Sequence, residues 1–339
     1  MDSVTQLLLG AAVGEATLGR RVGRRAMAWG AACGTLPDLD VFAPYADAVA
    51  AFTYHRSFSH SLLVLAALTP LVVWLILKLH PQTRRHRRGW VTLVYLAFAT
   101  HVLLDSFTVY GTQIFWPVLT TPMTWSSIFI IDPLYTIPLL VGVLGALVLS
   151  RQRPGGRRLN TAGLAISTLY LAWSIGAKVY VHEQAEAALV SRDIAPERVL
   201  ITPAPFTTVL WRILVMAPDG YYEGYYSLLD GERQIHFTRH VSERQWLSGI
   251  EDYGPVRRLQ WFTKGFYGVS RLGDDVLITD LRMGLEPHYV FRFRVGEVRN
   301  PHSVRAPVGR VPSPRGYDRL RWLWQRIWDA KATRVSGAA

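Results

Sequence analysis

Three apolar runs govern what this chain can fold into: "SLLVLAALTPLVVWLILKL" (61–79), "WVTLVYLAFATHVLLDSF" (90–107) and "IFIIDPLYTIPLLVGVLGALVLS" (128–150). Each has about the length a helix needs to cross a bilayer's hydrocarbon core. A fourth, "TAGLAISTLYLAWSIGAKVYV" (161–181), reads the same way. Lipid offers backbone amides no partner, so such runs are expected as helices with their hydrogen bonds closed internally. Two shorter apolar helices, about 4–18 and 26–36, precede them. They are short for full spans, which leaves them tilted, re-entrant or packed within the bundle. The expected first domain is therefore an α-helical integral membrane domain over 1–182, with four clear spans plus two short N-terminal helices.

Arginines orient this domain. "GRRVGRR" carries Arg20, Arg21, Arg24 and Arg25; "TRRHRRG" carries Arg84, Arg85, Arg87 and Arg88; "RQRPGGRR" carries Arg151, Arg153, Arg157 and Arg158. They occupy alternate connections, so the positive-inside rule puts all three on the cytoplasmic face. The other connections hold one Lys or Arg (Arg56, in 37–60) or no charge at all (109–127), and are expected outside. The first eighteen residues contain Asp2 and Glu15 and lack a basic start, so they read as a retained helix rather than a cleaved signal.

Only half of the 339 residues are hydrophobic, so a membrane domain must be balanced by an unlike part. From about 185 the pattern changes to short alternating runs, with Asp219-Gly220 and Asp230-Gly231 as tight-turn signals. This predicts a small, mainly antiparallel β domain over 185–300, with its aromatic residues in the core. A basic tail, 301–339, contains an amphipathic helix over 317–331, where Leu320, Leu323, Trp324, Ile327 and Trp328 share a face. That helix suits either the membrane interface or the β domain. With Cys33 the only cysteine, disulfides within the chain and a Cys-rich zinc site are excluded. The net charge of +12 is concentrated in topology loops and tail, which argues against nucleic-acid binding.

Ionisable residues near apolar segments are costly and point to function. "LPDLD" supplies Asp38 and Asp40, "YHRSFSHS" supplies His55 and His60, and "HVLLD" supplies His101 and Asp105 at a spacing that shares one helical face. The expected topology brings all six to one outer layer. Imidazole with carboxylate suits a divalent transition metal, zinc foremost and manganese or iron next, as one ion or two. Arg56 is placed to neutralise a bound phosphate. Asp132 reads as an orienting group or as a helix N-cap. Taken singly, Asp38 suits a turn and His55 an interfacial residue, while a paired His101–Asp105 also suits a proton relay.

These segments, in this order and leading into "FTVYGTQIFWP", resemble the YdjM-like family of membrane-bound proteins predicted to be metal-dependent hydrolases. The resemblance covers about 1–150 and implies Asp38, Asp40, His55, His60, His101 and Asp105 as metal-site residues. The family is also distantly similar to zinc-dependent phospholipase C and the P1-type nucleases, which share an H-x-x-x-D ligand pair. One departure is Thr5-Gln6, where the family often has Thr-His, so Gln6 is expected to reshape one metal position. The resemblance does not reach 185–339.

The leading expectation is a membrane-bound metal-dependent hydrolase of a phosphoester, with a lipid or other membrane-associated substrate. It is placed in a bacterial inner membrane, with its site and C-terminal domain on the extracytoplasmic side. Two rivals stand beside it: a transport or proton-relay protein using His101 and Asp105, and a non-enzymatic envelope scaffold with a structural metal. Oligomeric state is not legible.

Overall fold

A computed structural model describes residues 1–149, 155–231, 234–299, 301–313 and 318–332. Arg151, Arg153 and the first residue of the expected tail helix, Tyr317, lie outside the described residues. The chain divides into two compact units, Met1–Ala43 with Tyr54–Ser174 and Pro44–Thr53 with Ile175–Ala339.

The first unit is helical. Asp2 caps α1 (Ser3–Gly14) by accepting from the amides of Val4 and Thr5. A π-helical turn (Glu15–Gly19) and the positive φ of Gly23 reverse the chain into α2 (Arg24–Thr35). The two helices meet backbone to backbone through "GAAVG" and "GAACG". A Cβ on Gly10 would stand 2.2 Å from the Gly30 carbonyl oxygen, and one on Gly34 would stand 2.6 Å from that of Gln6. The short N-terminal helices are thus a close-packed hairpin within the bundle, with arginines at one end and Gln6 beside Gly34 at the other.

Next along the chain come α3 (Ala48–Tyr54), which up to Thr53 belongs to the second unit, then α4 (Leu62–Leu79), α5 (Arg87–Ser106), α6 (Pro133–Val148) and α7 (Gly155–Ser191), which belongs to the second unit from Ile175. Trp90, Leu93, Val94, Ala97 and Phe98 of α5 are buried against α4 residues Leu65, Val73 and Ile76. Leu71, Trp74, Leu75 and Leu79 point outward, as suits a lipid-facing surface. Three helical segments among the described residues are long and apolar enough to cross a membrane: Leu62–Leu79, Pro81–Ser106 and Gly155–Ser191. The expected four are reduced because 128–150 is not helical throughout. Asp132 starts α6 only at Pro133, which leaves it 16 residues long. The charge-free stretch after α5 folds back, with Gln113 donating to the Arg56 carbonyl and Leu62 to that of Ile114.

The second unit holds two four-stranded antiparallel sheets. One is a meander of β1 (Arg198–Pro203), β2 (Leu210–Ala217), β3 (Gly220–Ser227) and β4 (Phe237–Val241). The other runs in the order β8-β7-β6-β5, from β5 (Tyr267–Leu272), β6 (Asp275–Asp280), β7 (Arg292–Arg299) and β8 (His302–Arg310). The turn signals at 219–220 and 230–231 fall at strand ends, and Gly231 takes a positive φ. α7 extends past 181 because Val181, Ala185 and Leu189 bury against Trp211, Ile213 and Val215. β8 lies within the expected tail, because pairing with β7 carries the sheet past residue 300. α8 (Gly254–Phe262) buries Val256, Leu259 and Phe262. α9 (Asp318–Trp328) divides the apolar face read from the sequence. Trp322, Leu323 and Ile327 pack on Ala204, Leu210 and Tyr225, and Arg326 pairs with Asp230, while Leu320, Trp324 and Trp328 stay exposed.

Candidate metal centre

Four of the six expected ligands meet. One donor atom from each of Asp38, His60, His101 and Asp105 lies within 4.8 Å of every other, and this cluster can hold a metal ion. Each comes from a helix end opposite the described arginine turns. Asp38 stands on the 3-10 turn after α2, His60 just before α4, and His101 and Asp105 on the last turns of α5.

Hydrogen bonds fix which nitrogens face inward. His101 Nδ1 lies 2.6 Å from the Gly34 carbonyl, which can only accept, so Nδ1 carries the proton and Nε2 a lone pair. Ser59 Oγ donates to Asp40 Oδ2 at 2.5 Å and therefore accepts from His60 Nδ1 at 2.9 Å. His60 Nε2 is thereby the nitrogen turned to the cluster. It stands 3.3 Å from Asp38 Oδ1 and 3.2 Å from Asp105 Oδ2; His101 Nε2 is 3.7 and 3.6 Å from the same oxygens. Donors about 2.0–2.1 Å from a tetrahedral zinc stand roughly 3.3 Å from one another. The two separations from His60 fit that edge length, and the two from His101 are somewhat longer. Asp105 Oδ2 is buried and makes no regular hydrogen bond among the described residues, its charged neighbour being Arg56.

Asp105 Oδ1 is held from the other side by Gln6 Nε2 at 3.0 Å and by the Met1 amino group. Arg56 is buried, with Nε 3.1 Å from Asp105 Oδ2, Nη1 donating to Thr108 Oγ1 at 3.0 Å and the guanidinium over Tyr110. Its φ of +63° is unusual for a bulky residue. The amide bond to Asp40 Oδ2 at 3.1 Å and the bond from Gln113 N to its carbonyl hold it there. Asp40 and His55 form their own pair, Oδ1 to Nδ1 at 2.7 Å, beside the four-donor cluster. Asp132 is the N-cap of α6, accepting from the Leu134 and Tyr135 amides and from the Tyr170 hydroxyl at 2.9 Å. In the metal-free protein burial pushes the Asp38 carboxyl up, but His60 and His101, once protonated beside it, outweigh burial, and the group is pulled down to about 2. Asp40 shifts the same way, its burial outweighed by the His55 hydrogen bond.

Sequence reasoning missed Ser59 and the Gly34 carbonyl, and met Gln6 only as a departure from a pattern. Ser59 carried a faint signal in its place directly before His60. A main-chain acceptor carries none.

Over residues 1–181 the chain matches the YdjM inner membrane protein family. The chain belongs to that family. The family's match covers the helical segments and the whole four-donor cluster, and extends past the 150 residues that the motifs alone supported. No curated protein and no solved structure matches the chain.

Proposed function

We propose that this YdjM family member is a membrane-bound, metal-dependent hydrolase acting on a phosphoester, with a lipid or other membrane-associated molecule as substrate. The observation that carries this reading is the meeting of His60 Nε2 and His101 Nε2 with a carboxylate oxygen each of Asp38 and Asp105 in one buried cluster. Like poles at that distance repel unless a cation lies among them. Asp38, His60, His101 and Asp105 would hold it, with zinc the best fit to two imidazoles and two carboxylates. A divalent ion so held would supply an activated water and offset charge on a phosphoryl oxygen. Asp40 orients His60 through Ser59, and Gln6 orients Asp105. Arg56 is the cation beside the cluster, balancing Asp105 and available to a phosphate's charge. Asp132 acts as the cap of α6.

The donors lie at helix ends opposite the Arg20–Arg25 and Arg84–Arg88 turns, which supports an extracytoplasmic site in an inner membrane. The contact between His60 and His101 also suits a proton relay, the specific observation behind a second reading. Elemental analysis of detergent-purified protein beside a His101→Ala/Asp105→Asn variant decides between them. Metal at one equivalent or more in the wild type, lost in the variant, with chelator-sensitive headgroup release from phospholipid vesicles, is the expected result. Metal at the variant's level in both, together with pH-dependent proton flux in proteoliposomes, would sink the hydrolase.

A further inference from the structure

The 3-10 turn that carries Asp38 and Asp40, Leu36–Phe42, sorts its side chains by face. Three residues per turn set Leu36, Leu39 and Phe42 one above another. They are 38%, 53% and 82% exposed, while Asp40, on a neighbouring edge, is buried. The turn's only charged residues are its two aspartates, and both are engaged with histidines, Asp38 with His60 and Asp40 with His55. The outward edge is therefore wholly apolar. The turn Phe58–His60 repeats the pattern, with the histidine buried and Phe58 exposed. Outward apolar strips adjoin both turns: Ala28 and Ala32 of α2 lead into Leu36, and Leu63, Ala67 and Leu71 of α4 follow His60. In water a turn exposes its polar groups and single apolar ones at most, so a continuous apolar edge marks an interaction.

We infer that Leu36, Leu39 and Phe42 form an edge that enters the bilayer interface, and that the molecule hydrolysed is a phospholipid held by its chains along this edge. The inference rests on the hydrolase reading and narrows its substrate to a lipid taken from the membrane itself. Lipid is the occupant because the edge continues the outward strip of α2, whose neighbour in an inner membrane protein is hydrocarbon. An apolar face of this kind settles about 5–10 Å into the boundary between headgroups and chains. At that depth the phosphates of neighbouring lipids stand level with the turn. Asp38, the partly exposed donor, adjoins Leu39, their α-carbons about 3.8 Å apart. A lipid whose chains lie against Leu39 and Phe42 thus keeps its phosphoester beside the cluster without leaving the membrane. Hydrolysis adds water across the P–O bond, the hydroxyl going to phosphorus and the proton to the released alcohol. A phosphoester without chains gains nothing from the edge.

Full-length protein in vesicles of phosphatidylethanolamine and phosphatidylglycerol tests both parts. Phe42→Cys takes an environment-sensitive fluorophore, and because Cys33 is buried, wild type treated alike gives the background. Quenching by nitroxide-labelled lipid, with shielding from aqueous iodide, is the expected result. Quenching by iodide and not by lipid overturns the inference. Leu39→Ser/Phe42→Ser should lower the ratio of hydrolysis of long-chain phospholipid vesicles to that of a dissolved short-chain phospholipid. The expected fall is about ten-fold or more, the scale of withdrawing large apolar side chains from a nonpolar phase, and Phe42→Trp should keep the wild-type ratio. A wild-type ratio in the double variant overturns the lipid assignment. A wild type that hydrolyses neither substrate breaks the hydrolase reading instead, and quenching then decides alone whether the edge enters the bilayer.

Discussion

His60 Nε2 and His101 Nε2 face each other at 3.1 Å, each ring held through its far nitrogen, by Ser59 for His60 and by the Gly34 carbonyl for His101. Groups outside the cluster thus orient both rings, which suits a shared cation. Ser59→Ala removes one of those groups and frees the His60 ring to rotate or change tautomer. Metal affinity should fall about 10- to 100-fold, measured by competition against a chelator of known affinity. An unchanged affinity would show that Ser59 has no part in holding the ligand.

Gln6→Leu keeps the volume near α1 but takes the donor from Asp105 Oδ1. Metal affinity should drop by about ten-fold with little change in the melting temperature of the metal-free protein. A large loss of stability with affinity preserved would assign Gln6 to packing instead.

The helical hairpin makes a sharper stability prediction. Gly10→Ala drives a methyl to 2.2 Å from the Gly30 carbonyl oxygen, whereas nothing lies within 4 Å of a Cβ at Gly176. The first change should cost about 1–3 kcal/mol or more through overpacking. The second should be neutral or stabilising by up to about 1 kcal/mol, because alanine is the better helix former. Thermal unfolding in detergent compares them directly.

Acid should destabilise the metal-free protein in a defined window. Asp38 is lowered from 3.8 to about 2 in the folded protein, so its contribution is complete above the unfolded value and lost as pH falls from about 4 towards 2. Asp40 moves in the same direction and adds to the loss. Asp38→Asn should flatten the stability profile over that range, read by unfolding midpoints at stepped pH.

In the C-terminal domain, buried Arg212 binds Glu223 Oε1 at 2.6 Å, the Leu281 carbonyl at 2.7 Å and the Tyr289 hydroxyl at 3.1 Å. Arg212→Met takes the guanidinium from the buried Glu223 carboxylate and should cost about 3–5 kcal/mol, seen as a lower urea midpoint for that domain. Adding Glu223→Leu should recover much of the loss.

The sequence revealed what depends on hydrophobic period and residue chemistry. The apolar runs announced helices, the Asp-Gly pairs announced strand reversals, and ligand-type residues in three motifs announced the cluster. Less visible was whatever depends on the backbone. The Gly34 carbonyl that fixes His101 has no side chain to notice, and the glycine pairs of α1 and α2 gain meaning only when each helix is seen against the other. Asp132 showed the limit of residue type alone: the same carboxylate beside Pro133 serves as a cap or as a site group, and only its partners separate the two. The place of residues 44–53 in the second unit was likewise hidden, since nothing in a ten-residue stretch says which of two domains will bury it.

Asp38 differs from the other three donors in one respect: its side chain is 19% exposed, while those of His60, His101 and Asp105 are fully enclosed. Traffic through the centre is therefore one-sided. If the cluster holds an ion, that ion would meet Asp38 first on entry and pass it last on leaving. The residue that helps hold the charge is also the doorway to it.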